Sequence, residues 1–95
     1  MNLVIHKYYL TANTDNQITL PKDAQLLNVH VQHDGLYLWA LHDILPKEYE
    51  TRVIGVYGTG IEIRDHDKLK FLNTCLSDNG NFVWHAFERI NFWSL

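Results

Sequence analysis

The residues whose types could do chemistry are six histidines, a single cysteine and a Gly-Thr-Gly tripeptide at positions 58–60. Histidines raise the question of metal first. Zinc sites draw on His and Cys at short, characteristic spacings. This chain has no His-x-His, Cys-x-x-Cys or His-Glu-x-x-His, and Cys75 has no nearby His partner. A metal site would have to be assembled from distant segments, so hydrogen-bonded histidines are the plainer reading, and neither metal nor other cofactor is expected. His85 lies between Val83 and Phe87 on one face of an extended segment. It reads as a satisfied core histidine or as a ligand donor in a pocket. Cys75 reads as a buried structural thiol, because a nucleophile would need a positioned base. Asp65 and Asp67 flank His66, which suits acid–base work but also an ordinary charged loop. No Ser sits in a nucleophile elbow, so the expectation is a protein that is not an enzyme.

Binding chemistry has more material. Glycines let successive N–H groups converge on an anion, and a Thr hydroxyl can add a donor, so Gly58-Thr59-Gly60 is either a phosphate cradle or a plain turn. Trp39 and Tyr57 each sit within an apolar extended stretch, where a ring either packs in the core or stacks on a nucleobase. Lys22 and Arg52 lie near the ends of such stretches and could pair with phosphate. Gln32 and His85 could read base edges or ribose. These nine residues form the predicted ligand site.

The elements that must position them are strands. Leu3 to Leu10 is rich in β-branched and aromatic residues, and the polar stretch Thr11 to Asn16 reads as a turn. Gln17 to Leu20 is a short strand stopped by Pro21, which supplies no N–H to a ladder. In Gln25 to Gln32, Leu27, Val29 and Val31 alternate with Asn28, His30 and Gln32, which predicts one buried and one wet face. Asp34-Gly35 marks a tight turn. The run Leu36 to Leu41 is apolar on both faces, as a central strand would be, and a hairpin is predicted across residues 26–42. His42 to Glu50 reads as a surface loop. Thr51 to Tyr57 returns to strand, where Gly55 predicts a bulge or a close backbone approach. Ile61 to Ile63 is a short extended piece. Lys70 to Leu76 and Asn81 to Glu88 predict a second hairpin around Asn79-Gly80, and the tail Arg89 to Leu95 a docked strand or helical turn. Seven or so short strands predict an all-β fold, a small antiparallel β-sandwich or partly open barrel, as one domain over residues 1–95.

Composition narrows the partners. The net charge is −3 and the eight Lys and Arg are spread thinly, so no row of cations exists for a duplex. The longest apolar run, Leu36 to Leu41, is far too short for a membrane-spanning helix. The first six residues lack the pattern of a signal peptide, and the unpaired cysteine suits a reducing cytoplasm.

Six pieces occur in order: Lys7-Tyr8; Gln17 to Lys22; Leu27 to Gln32; Leu38 to Leu41; Tyr57 to Gly60; and Phe82 to Glu88. Together they resemble a family of small proteins encoded by bacteriophages and mobile elements. The resemblance covers about residues 6–88. In size, setting and lack of catalytic motifs such proteins are similar to viral anti-CBASS sponges, which assemble into oligomers and sequester cyclic dinucleotide immune signals without cleaving them. No sponge motif matches residue by residue. The resemblance implies a homo-oligomeric immune-evasion protein in the cytoplasm of an infected bacterium, with a small nucleotide such as a cyclic dinucleotide as its ligand. A protein-binding inhibitor module, a virion assembly protein and a small hydrolase are the rival expectations.

Overall fold

Seven strands account for most of the described chain in the computed structural model, which describes residues 2–33, 35–64, 68–77 and 79–90. In chain order they are β1 (Leu3–Leu10), β2 (Thr14–Pro21), β3 (Gln25–Gln32), β4 (Gly35–Asp43), β5 (Tyr49–Gly58), β6 (Lys68–Leu76) and β7 (Val83–Ile90). All pairings are antiparallel, in a three-stranded sheet ordered β1-β4-β3 and a four-stranded sheet ordered β2-β5-β7-β6. The two sheets lie face to face as a sandwich, and they do not close into a barrel. The slab measures 41 × 35 × 16 Å between Cα extremes.

Period-two patterning builds the core. On β4, Leu36, Leu38, Ala40 and His42 point inward and are buried, while Tyr37, Trp39 and Leu41 face outward and are half-buried. As the apolar run predicts, β4 is the central strand of its sheet. Ile54 and Val56 of β5, with Ala86 of β7, meet it from the other side, joined by Leu10, Leu20, Val29 and Cys75. Cys75 is buried in this layer, as expected of a structural thiol, and burial pushes its thiol pKa up.

The alternating segment behaves differently from its pattern. The β3–β4 register shifts between Leu26 and Asn28, so Leu26 packs against the core and Leu27 is left exposed. A bulge adds one residue and thereby flips the facing of everything before it. A matching irregularity lies between Phe71 and Asn73 on β6. These two bulged strands flank the same side of the sandwich, and Asn73 bridges them. Its Oδ1 accepts from Val29 N–H at 2.9 Å and its Nδ2 donates to Val29 C=O at 2.7 Å, so one amide side chain stands in for a strand neighbour.

The turns follow their chemistry. Gln32 pairs with Gly35, leaving a two-residue connection in which His33 adopts φ +54°. Gly35 already belongs to β4, and a Cβ there would lie 3.0 Å from Tyr37 and 3.3 Å from Tyr9. The second hairpin closes with Gly80 N–H donating to Ser77 C=O, and Gly80 has φ +72°.

Four expectations are corrected. Residues 14–16 belong to β2, because they pair with β5 through Thr14–Val56 to Asn16–Ile54. The predicted loop 42–50 shrinks to 44–48, since β4 runs on to Asp43 and β5 begins at Tyr49. Arg89 and Ile90 continue β7 and are not part of a separate tail. Gly55 carries no bulge: its register is unbroken, and its missing Cβ makes room for Asp15 and Tyr57, each 2.7 Å from where that atom would sit. Expectations for Asp34, Asp65 to Asp67, Asp78 and residues 91–95 lie outside the described residues.

Asn73→Ala removes both hydrogen bonds of the clamp and leaves the Val29 groups unpaired in a half-buried setting. A loss of about 1–3 kcal/mol in urea unfolding is expected, with Tm falling by roughly 4–8 °C per kcal/mol. A variant as stable as the parent would show that the clamp is ornamental.

Candidate functional site: an aromatic ridge and groove

Outward-facing side chains on the three-stranded sheet form the first part of the site. Tyr9 pairs with Tyr37 across β1 and β4, and Trp39 lies two residues further along the same face of β4. Their rings meet edge to face, at 5.7 Å for Tyr9–Tyr37 and 6.0 Å for Tyr37–Trp39. Lys7 reaches across this face. Its amine lies 4.6 Å from the Tyr37 ring centre and donates to Gln32 Oε1 on β3.

The ridge runs to the end of the sandwich where both hairpin turns lie. A groove of about 480 Å³ opens there between Tyr9, Leu36 and His33 on one side and Ser77, Phe82 and Trp84 on the other. Phe82 and Trp84 are stacked, with ring centres 5.9 Å apart and planes 24° from parallel. Phe82 and Tyr9 are both well exposed, so the groove has an aromatic lip on each side. Its volume falls within the usual range for small-molecule sites. Among the described residues, no Lys or Arg lines it.

A larger cleft, about 620 Å³, lies at the opposite end, against the 44–48 loop. Lys22 and Lys47 line it beside Asp23, Asp43 and Glu48, and Lys22 is bridged to Glu48 at 3.3 Å. Among the described residues, Asp43 Oδ1 is buried there with no hydrogen-bond partner. Acidic groups outnumber cations, which makes this cleft a poor host for an anion.

The nine predicted residues are dispersed. Gln32 and Trp39 share the ridge face. Tyr57 and His85 lie on the outer face of the other sheet, on the far side of the slab. Tyr57 donates to Asp15 Oδ1 at 2.6 Å, and Arg89 bonds the other oxygen at 2.8 Å, a network seated over Gly55. His85 is not a core residue: its neighbours Trp84 and Ala86 take the inward face, while both of its nitrogens bond threonine hydroxyls, Thr59 at 2.8 Å and Thr74 at 3.0 Å. Gly58-Thr59-Gly60 is a turn, with Ile61 N–H donating to Gly58 C=O and Gly60 at φ +89°. Gly58 N–H goes to Asn13 Oδ1 and Thr59 N–H to Val83 C=O, so these donors are already engaged. Arg52 is held inside the sandwich by two bonds to Glu88, at 2.6 and 2.8 Å, and one to Ala24 C=O, with the two charged side chains 19% and 8% exposed. Lys22 is at the far cleft.

Sequence reading passed over Tyr9 and Phe82 as site residues. The i, i+2 spacing of Phe82 with Trp84, like that of Tyr37 with Trp39, already places each pair on one strand face. Nothing local could bring Tyr9 to Tyr37, twenty-eight positions away. Among the described residues, no three or more His, Cys, Asp or Glu gather as a metal set would.

A second polar cluster lies inside, toward the 44–48 end. His42 Nδ1 faces Asp43 C=O at 3.0 Å and donates to it, and in the neutral imidazole Nε2 then accepts from the Tyr8 hydroxyl at 2.7 Å. Burial raises the Tyr8 pKa, and burial together with the Asp15 bond raises that of Tyr57.

These features define a two-sheet antiparallel β-sandwich that presents aromatic rings to solvent on one face and one end. The chain belongs to the family described as domain of unknown function DUF7352, which matches residues 1–93. No curated protein and no solved structure matches it.

Both raised tyrosine pKa values favour the protonated fold. Their stabilisation is therefore complete below the unfolded value near pH 10 and is lost as pH rises through the folded values. Stability measured by urea should fall above about pH 10, and Tyr57→Phe should flatten that fall. An unchanged alkaline profile in Tyr57→Phe and Tyr8→Phe together would place the effect elsewhere.

Proposed function

We propose that this protein is a non-enzymatic binder that sequesters a nucleotide signal, with a cyclic dinucleotide of bacterial anti-phage defence as the fitting ligand class. The observation that carries the reading is the aromatic surface running from half-buried Trp39 and Tyr37 through exposed Tyr9 to exposed Phe82, which stacks on half-buried Trp84. Rings exposed in this way offer platforms for planar bases, each worth about 1–3 kcal/mol. Gln32 supplies donors and an acceptor for a base edge. Lys7 can exchange its bond to Gln32 for a phosphate oxygen, while the groove itself, without a cation, receives the base. The ordered resemblance to phage-encoded proteins supports the choice of signal, and a shallow open surface supports capture within an assembly of copies better than enclosure by one chain.

The second reading is a protein-binding inhibitor of a host or defence protein. It is favoured by the further apolar side chains exposed on the ridge face, Leu3 and Ile5, which a small polar ligand would leave uncovered.

The test is calorimetry and tryptophan fluorescence with a panel of cyclic and linear dinucleotides, followed by heat release of captured ligand. Binding with intact ligand recovered on heating is expected. Trp39→Ala or Phe82→Ala should weaken it roughly 5- to 150-fold, whereas Lys22→Ala should leave it unchanged. Failure of every nucleotide to bind at millimolar concentration would end this reading and leave the protein-binding one.

A further inference from the structure

The four edges of a two-sheet sandwich are its exposed ladders, and in this fold they are unequally protected. The free edge of β3 is occupied at Val29 by the Asn73 amide, which also draws β6 against it. The free edge of β2 ends in Pro21, which has no N–H to offer. β1 differs. It is eight residues long, and among the described residues its only strand partner is β4. Its outward side chains Leu3, Ile5 and Tyr9 are 53%, 54% and 63% exposed. A long apolar edge with unpaired backbone groups is a template for another strand.

Natural edges are commonly guarded by a lysine whose charge would be stranded if a second strand arrived. β1 has such a lysine, Lys7, but its amine is drawn over Tyr37 of β4 to Gln32 of β3, away from the free edge. The guard faces the wrong way. β1 carries no acidic residue either, so nothing on the strand repels a neighbour of like sequence apart from Lys7 itself.

We propose that β1 pairs antiparallel with β1 of a second copy, doubling the three-stranded sheet across a two-fold axis. Antiparallel pairing about a two-fold perpendicular to the sheet sets outward residues opposite outward residues. The axis through His6 keeps residues 3–9 overlapped and sets Leu3 against Tyr9 of the second copy and Ile5 against its Lys7. Centring on Lys7 would oppose two ammonium groups, and centring on Ile5 shortens the overlap. The ridges of the two copies then lie on one continuous face, which brings two aromatic surfaces to one side of the assembly. The overlapped residues 3–9 span about 23 Å at the usual rise per residue. A seam this narrow lies at the small end of stable interfaces, so the dimer depends on concentration in the micromolar range or above. The inference deepens the assembly part of the proposed function, and it is read without any ligand.

Sedimentation of the full chain from micromolar to near-millimolar concentration should show a transition from the 11.2 kDa monomer to twice that mass. Ile5→Lys should abolish the transition while circular dichroism and Tm stay close to the parent. Because the only native thiol is buried Cys75, engineered cysteines report the register. His6→Cys should cross-link to itself under mild oxidation. Leu3→Cys should not, yet it should cross-link with Tyr9→Cys when the two variants are mixed. A monomer at all concentrations, a dimer that survives Ile5→Lys, or equal self-cross-linking at positions 3 and 6 overturns the proposal. Nucleotide binding by a chain that stays monomeric would overturn this seam and leave the ligand reading standing.

Discussion

Among the described residues, hydrogen bonds between facing edge strands tie the two sheets along one side only, and that asymmetry organises much of the molecule. Strands β3 and β6 approach closely enough for the Asn73 side chain to satisfy both backbone groups of Val29. An amide can do this because it presents a donor and an acceptor with the spacing of a peptide group. The approach requires both strands to bend, and each carries a register irregularity close to the clamp, at Leu26/Asn28 and at Phe71/Asn73. Bulges raise local twist and turn a strand edge out of its plane. On the opposite side, where β1 and β2 run, no such bond spans the sheets among the described residues, and β1 is left with an unoccupied ladder.

Between the sheets the character of the layer changes along its length. At the hairpin end it is apolar, with Leu36, Val56 and Ala86 beneath the groove. Toward the 44–48 loop it becomes polar, with the Arg52–Glu88 pair and the Tyr8–His42 hydrogen bond. Buried charges cost several kcal/mol each to desolvate and are tolerated when their partners saturate them. Arg52 meets that condition through Glu88 and the Ala24 carbonyl. This explains why a residue that looks suited to phosphate is unavailable for it. The same applies to the backbone of Gly58-Thr59-Gly60, whose described donors close a turn. A constellation of donors becomes a binding site only when the fold leaves those donors without partners.

What the fold does leave uncommitted is aromatic. Tyr9 and Phe82 present their rings to water at the two lips of one groove, and Tyr37 and Trp39 extend that surface over the adjoining face. Gly35 is part of the reason: without a side chain it lets the Tyr9 and Tyr37 rings close over the start of β4. The candidate site is thus made by the absence of one side chain and by two hairpins ending at the same place. Neither hairpin contains it alone.

The residue pattern by itself determined the strand content, the hairpin turns and the central position of β4, because period two and turn chemistry are local properties read over a few residues. The i, i+2 spacing at 37/39 and at 82/84 carries the signal of a shared face, but by itself it does not mark Phe82 as a site residue. Only the tertiary structure decided that Leu27 of the alternating strand points outward while Leu26 packs against the core, since a bulge is set by the partner strand and the Asn73 clamp. It likewise decided that Arg52 is sealed against Glu88, that His85 is held by two threonines outside the core, and that Trp39 and Tyr57 lie on opposite faces of the slab. Those outcomes depend on contacts between residues far apart in the chain, and on which donors the fold has already spent.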